Sequence, residues 1–217
     1  MLIADADVLY FPGDRAASGS RSEPAAMLLA ALEESGKPLA IAWDSIAADQ
    51  QSLLDELQTT PSGQRDELIA RLEIAGTGRA REHCRAVLRD AAVGVRELAL
   101  GCPAAMLAQF TPAKAAPVRE EAGSARARTF AQQFAAEQIV RYFRGAPGEN
   151  KLLGFLDRAD LEEERGVPTY VAQKLPLRQL VFGSGARSRR GERLLTGLRG
   201  RGGIFEVVDR APITAGN

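Results

Sequence analysis

Short apolar runs alternate with longer amphipathic ones along this chain, and few architectures accept that order. Residues 7–11, "PLAIAWD" (38–44), "VGVRELAL" (93–100), "KLLGFL" (151–156), "LPLRQLVFG" (175–183) and "GIFEVVD" (203–209) each read as a strand. Helical segments separate them, and strands joined by helical crossovers build a mostly parallel sheet covered on both faces. The pattern predicts an α/β fold, a three-layer α/β/α domain over residues 1–217. At 217 residues and 45% apolar composition the chain can bury a sizeable core.

The helical segments differ in character. Residues 23–34 read as a helix, with Met27, Leu28 and Leu32 at helical spacing and Gly36 just past its end. Between 46 and 90 three helical patterns follow one another with no strand between them, which predicts a small helical subdomain, or lid, inserted in the sheet. Residues 111–125, rich in alanine, proline and charge, read as a loop, and a long helix is expected from about Ala125 to Arg144. Residues 183–203 form a basic, glycine-rich stretch with no interleaved aromatic platform, and it reads as a solvated crossover.

Lysine plus arginine equals aspartate plus glutamate, 28 each, so no overall field favours nucleic acid or an acidic membrane surface. No window approaches the ~20 apolar residues of a membrane helix. The start, "MLIADADVLYF", lacks the charged and apolar regions of a signal peptide, which leads us to expect a cytoplasmic protein or a mature form freed of its leader. Cys84 and Cys102 provide neither a disulfide scaffold nor paired zinc ligands, and read as small core residues.

Ligands of such sheets collect outside the carboxyl ends of the strands. Three of these ends carry aspartate: Asp14, Asp44, and Asp157 with Asp160. Two interpretations stand side by side. Each aspartate caps the helix that follows, or Asp14, Asp44 and Asp160 converge, where they suit a hard divalent cation or divide acid and base roles. Convergence requires the first two strands to be side by side. His83 is the single histidine, so no mechanism with two imidazoles is available, and no Gly-x-Ser-x-Gly elbow presents a serine. Tyr10, Tyr142 and Tyr170 are possible haem ligands or ordinary packing, and Trp43 is either a pocket wall or core.

The stretch from Val8 to Leu32 resembles the first motif of the ChaN-like haem-binding uptake proteins of the Tiki superfamily, relatives of the erythromycin esterases. That motif is a strand, Gly-Glu-x-His, a loop, a second His and an amphipathic helix; here the positions hold Gly13-Asp14-Arg15-Ala16 and Ser22. Asp44 stands where the family's second strand ends in Glu, and Gly101 replaces the Asn of its Asn-x-Pro in "LALGCP". "AAEQIVRYF" resembles the helix carrying Met-Ala-Glu-x-Ile. Gly166-Val167-Pro168 keeps the family's Gly-Ile-Pro, while Asp160 sits at the histidine of Gly-x-Gly-His. "FEVVDRAPIT" resembles the closing strand and its Asp. The resemblance spans nearly the whole chain.

It implies a small-molecule ligand, haem or another planar apolar molecule, held between the sheet ends and the helical subdomain. Asp14, Asp44 and Asp160 would form the floor, with Trp43 and Arg15 as walls. His83 or a tyrosine is then the iron ligand, and a homodimer around a shared ligand is what the family leads one to expect. The family's histidine positions are Ala16, Ser22 and Asp160 in this chain, so borderline metals lose their preferred donors and weak haem affinity is expected. The alternative is a carboxylate-based enzyme, a hydrolase or biosynthetic catalyst with or without a divalent cation.

Overall fold

The computed structural model describes residues 6–13, 36–76, 78–91, 95–110, 117–144, 150–162, 166–183 and 204–208. The six strands in these residues are β1 (Val8–Pro12), β2 (Leu39–Ala47), β3 (Arg96–Gly101), β4 (Lys151–Leu156), β5 (Gln179–Gly183) and β6 (Ile204–Val208). All pair in parallel, in the order β3-β2-β4-β1-β5-β6. The α/β fold expected from the alternation is the one observed. β1 and β2, however, are not adjacent: β4 lies between them. Local periodicity marks strands but carries no strand order, and β4, buried at all six positions, takes the central place.

Successive residues of each strand serve opposite faces. Leu9, Phe11, Ile41, Trp43, Leu153 and Phe155 enter one core, with Leu54, Leu57, Leu68, Ile69, Cys84 and Leu88. Those latter residues come from α1 (Gln51–Thr59), α2 (Asp66–Arg71) and α3 (Gly78–Asp90). These three helices, expected as an inserted subdomain, pack on one face of the sheet. Val8, Tyr10, Ala40, Ala42, Leu152 and Leu156 enter the other core, with Ala136, Ile139, Val140, Phe143 and Val171.

That second layer comprises α4 (Ala104–Leu107), α5 (Pro117–Arg144), α6 (Arg158–Glu162) and α7 (Val167–Ala172). α5 begins at Pro117, eight residues before the expected start, so part of the predicted loop is helical. Proline fits the first turn, where its missing N–H is not needed, and composition alone hid this start.

β2 runs three residues past its expected end. Trp43 pairs with Ala99 and Ala47 with Gly101, so four steps along β2 match two along β3, and Asp44 and Ser45 fall in the irregular stretch. A Cβ on Gly101 would lie 2.6 Å from the Asp44 carbonyl oxygen and 2.7 Å from that of Ile46. Only glycine admits this approach. Among the described residues no helix is long and apolar enough to cross a membrane.

Candidate functional site

Travel along the sheet decides where a ligand can sit. From β2 the chain leaves to α1 on one face; from β3 it leaves to α4 and α5, and from β4 to α6, on the other. Right-handed crossovers in opposite directions put their helices on opposite faces, which opens a crevice at the carboxyl ends on either side of β2. A cavity of about 660 Å³ lies there, bordered by Asp44 and Ser45 from β2, Gly101 at the end of β3 and Cys102 just after it, Arg81 and Arg85 from α3, and Asp160 from α6.

Two adjacent glutamines hold the rim. Gln50 donates from Nε2 to the Glu73 carbonyl at 3.1 Å and accepts the Glu73 N–H at 2.7 Å. Gln51 treats β3 in the same way, donating to the Glu97 carbonyl at 2.8 Å and accepting from the Ala99 N–H at 2.8 Å. β3 is an edge strand, so the Gln51 amide stands in for a missing neighbour. The segment after α2 is drawn over the end of β2 by the Ala75 N–H, which donates to the Ser45 carbonyl at 2.7 Å, and by an antiparallel bridge between Ile46 and Ile74.

Asp44 is half-buried, and its Oδ2 accepts the backbone N–H of Asp157. Burial pushes its pKa up to about 7; the nearby charges of Asp160 and Asp157 add to the rise, and the Asp157 N–H opposes it. Asp157 caps α6 instead, its Oδ1 accepting the Ala159 N–H at 2.9 Å. Asp160 accepts from Gln132 Nε2 on α5 at 2.9 Å. Asp44 and Asp160 thus border one cavity and Asp157 is a cap, while the side-by-side placement of β1 and β2 that the three-aspartate convergence requires is absent, because β4 lies between them.

The other expected site residues stand elsewhere. Asp14 and Arg15 lie outside the described residues, as do the helix expected at 23–34 and residues 184–203. Trp43 is 1% exposed and is core, not a cavity wall. Its ring stacks on Phe155 at 4.6 Å and its Nε1–H donates to Glu97 Oε2 at 2.7 Å. Glu97, inside that same core, has its pKa pushed up to about 8 by burial, against the Trp43 hydrogen bond. A polar partner on the neighbouring strand is what seats Trp43 inward, and single-strand periodicity cannot reveal it.

His83 does not line the cavity either. It sits edge-on to Phe155 with ring centroids 5.4 Å apart, and its buried Nε2 has no hydrogen-bond partner. Burial holds its pKa below the ordinary histidine value. Tyr10 is fully buried, its hydroxyl donating to Gln179 at 2.7 Å, and the Tyr142 hydroxyl donates to the Lys151 carbonyl at 3.3 Å. Among the described residues no three His, Cys, Asp or Glu side chains gather as a metal site.

Sequence reasoning passed over Arg81, Arg85 and Gln50. The two arginines are four residues apart, hence on one flank of α3, at the border of the apolar stripe that carries Cys84 and Leu88. That border position was the only signal.

No family model and no curated protein matches the sequence. Solved structures do share its fold. ChaN of Campylobacter jejuni, a protein described with cofacially bound haem, superposes with a TM-score of 0.59 at 13% identity, over 88% of this chain and 84% of that one. The type III effector HopBA1 superposes with a TM-score of 0.53 at 10% identity, over 96% and 90%. The chain has a ChaN-like fold.

Proposed function

We propose that this protein binds a small molecule in the cavity at the carboxyl ends of β2 and β3. The observation that carries the reading is the cavity's position: it opens where the connections from neighbouring strands diverge to opposite faces. Leu72, Ile74, Leu100 and Leu107 give it apolar walls, and Asp44, Asp160, Arg81 and Arg85 give it a few polar groups. A planar, largely apolar ligand suits that lining.

Haem, bound by the ChaN neighbour, is the first ligand to try. The donor set around the cavity does not fit haem iron. No described histidine or tyrosine borders it, and burial raises the pKa of Cys102, which disfavours the thiolate that iron would take. The expectation is therefore weak haem binding with no histidine-type spectrum. Haem titration followed by absorbance checks it; a stoichiometric Soret band that disappears in His83→Ala would show that the protein offers an iron ligand after all. Light scattering during the same titration tests for the homodimer.

A second reading is catalysis by the carboxylates. It is favoured by Asp44, a cavity-lining acid that titrates near neutral pH and so suits proton transfer. A hydrolase of this kind shows a rate that bends near pH 7 and loses its activity in Asp44→Asn. Unchanged turnover in that variant would dismiss the reading.

A further inference from the structure

One buried acid lies away from the cavity. Glu97 on β3 is 3% exposed, and the parallel register sets Ile41 beside it and Trp43 beside Ala99, so all four share one face of the sheet. Its Oε2 accepts the Trp43 Nε1–H at 2.7 Å, whereas its Oε1 is buried and has no hydrogen-bond partner. Arg65, just before α2, is the nearby opposite charge, but its guanidinium donates to the carbonyls of Thr60, Leu88 and Ala91 at 2.8, 3.1 and 2.6 Å. Cys84 from α3 feels both Glu97 and Asp44; burial pushes its thiol pKa up, so it is a neutral neighbour. α1 meets β3 through the uncharged Gln51 amide. The site therefore suits a carboxylic acid. An anion there would keep one oxygen unpartnered in an apolar core, which costs more than a neutral group so placed.

We propose that Glu97 is a proton-controlled latch at the edge of the sheet: with its proton it seats Trp43 in the core, and on losing it β3 parts from β2 around the indole. β3 is the element free to yield. It pairs with β2 alone, and its outer side is held by the Gln51 amide, so giving way costs fewer hydrogen bonds than moving a central strand. Opening lets water reach the ionised carboxyl, which removes the cost of burying it. Leu100 and Gly101, further along the same strand, border the cavity, so the latch also moves one cavity wall. The proposal goes beyond the ligand reading and stands whatever the cavity binds.

Trp43 is the single tryptophan of the chain, so intrinsic fluorescence of the full-length protein reads the latch directly. Titrated from about pH 6 to about pH 9.5, the emission should move to the red and become more open to acrylamide quenching, in one transition with its midpoint near pH 8. Glu97→Gln keeps an oxygen for the indole and cannot ionise, so its emission should stay constant. Asp44→Asn should retain the transition, which separates the latch from the acid in the cavity. His83 touches the same rings through Phe155, but burial holds its pKa below the ordinary histidine value, on the acid side of the transition. Carboxyl NMR of the parent protein labelled with 13C-glutamate needs no variant, and one glutamate signal should titrate near pH 8. Constant Trp43 emission in the parent overturns the proposal, as does the same transition in Glu97→Gln, its loss in Asp44→Asn, or a set of glutamate signals that all titrate below about pH 6.

Discussion

The two ends of the sheet treat buried charge in opposite ways. At the amino end, Lys151 is 2% exposed, yet its ammonium donates to the Ala6 carbonyl and lies 3.6 Å from the Asp7 carboxylate. Asp7 in turn accepts the Arg178 N–H at 2.9 Å, which ties β1, β4 and the entry to β5 together. At the carboxyl end, Asp44 has its pKa raised beside other acids, and the Arg85 Nε–H has no acceptor. One end pairs its buried cation with an acid; the other places acids near one another at a cavity. On the proposed function, that asymmetry separates groups that hold the fold from groups that face the ligand.

The strongest way to break the comparison is at the amino end. Lys151→Met retains the apolar stem and removes the ammonium, so the Ala6 carbonyl and the Asp7 carboxylate lose a buried partner. The expected loss is about 3 kcal/mol of unfolding free energy, toward the low end for a broken buried pair because Asp7 reaches water. Denaturant unfolding measures it. A loss below ~0.5 kcal/mol, the scale of an ordinary surface change, would mean that the amino end is not a stability element.

How much of this was legible in the sequence follows the same division. β1 and β4 could be read from apolar runs because their burial is local and continuous. Strand order could not, since it is decided by which crossover reverses direction, far from the residues it places side by side. The extension of β2 depends on Gly101, more than fifty residues away, which leaves room for two β2 carbonyls where a Cβ would clash. Asp44 and Asp160 were legible as strand-end acids, and both border the cavity. Trp43 misled because its partner Glu97 belongs to another strand, and Arg81 and Arg85 were passed over because arginines on an amphipathic helix resemble a solvated face. Polar groups become visible to a sequence reading when their role is local.

The smallest expected effect sharpens the carboxyl end. Asp44 is more basic folded than unfolded, rising from 3.8 to about 7, so the folded state retains a proton that the unfolded chain releases. Stability contributed by this group is therefore complete below about pH 4 and declines as pH rises toward 7. Asp44→Asn keeps an oxygen to accept the Asp157 N–H and removes the titration. The variant should match the parent near pH 4 and exceed it at pH 8 by about 1 kcal/mol, less than the full shift implies because the carboxyl borders an open cavity. Unfolding free energies of both proteins at the two pH values decide the matter. Should the parent instead gain on the variant as pH rises, Asp44 is stabilised as an anion, its hydrogen bonds from backbone N–H groups outweighing burial. The carboxyl end would then be as balanced as the amino end, and the contrast between them would be lost.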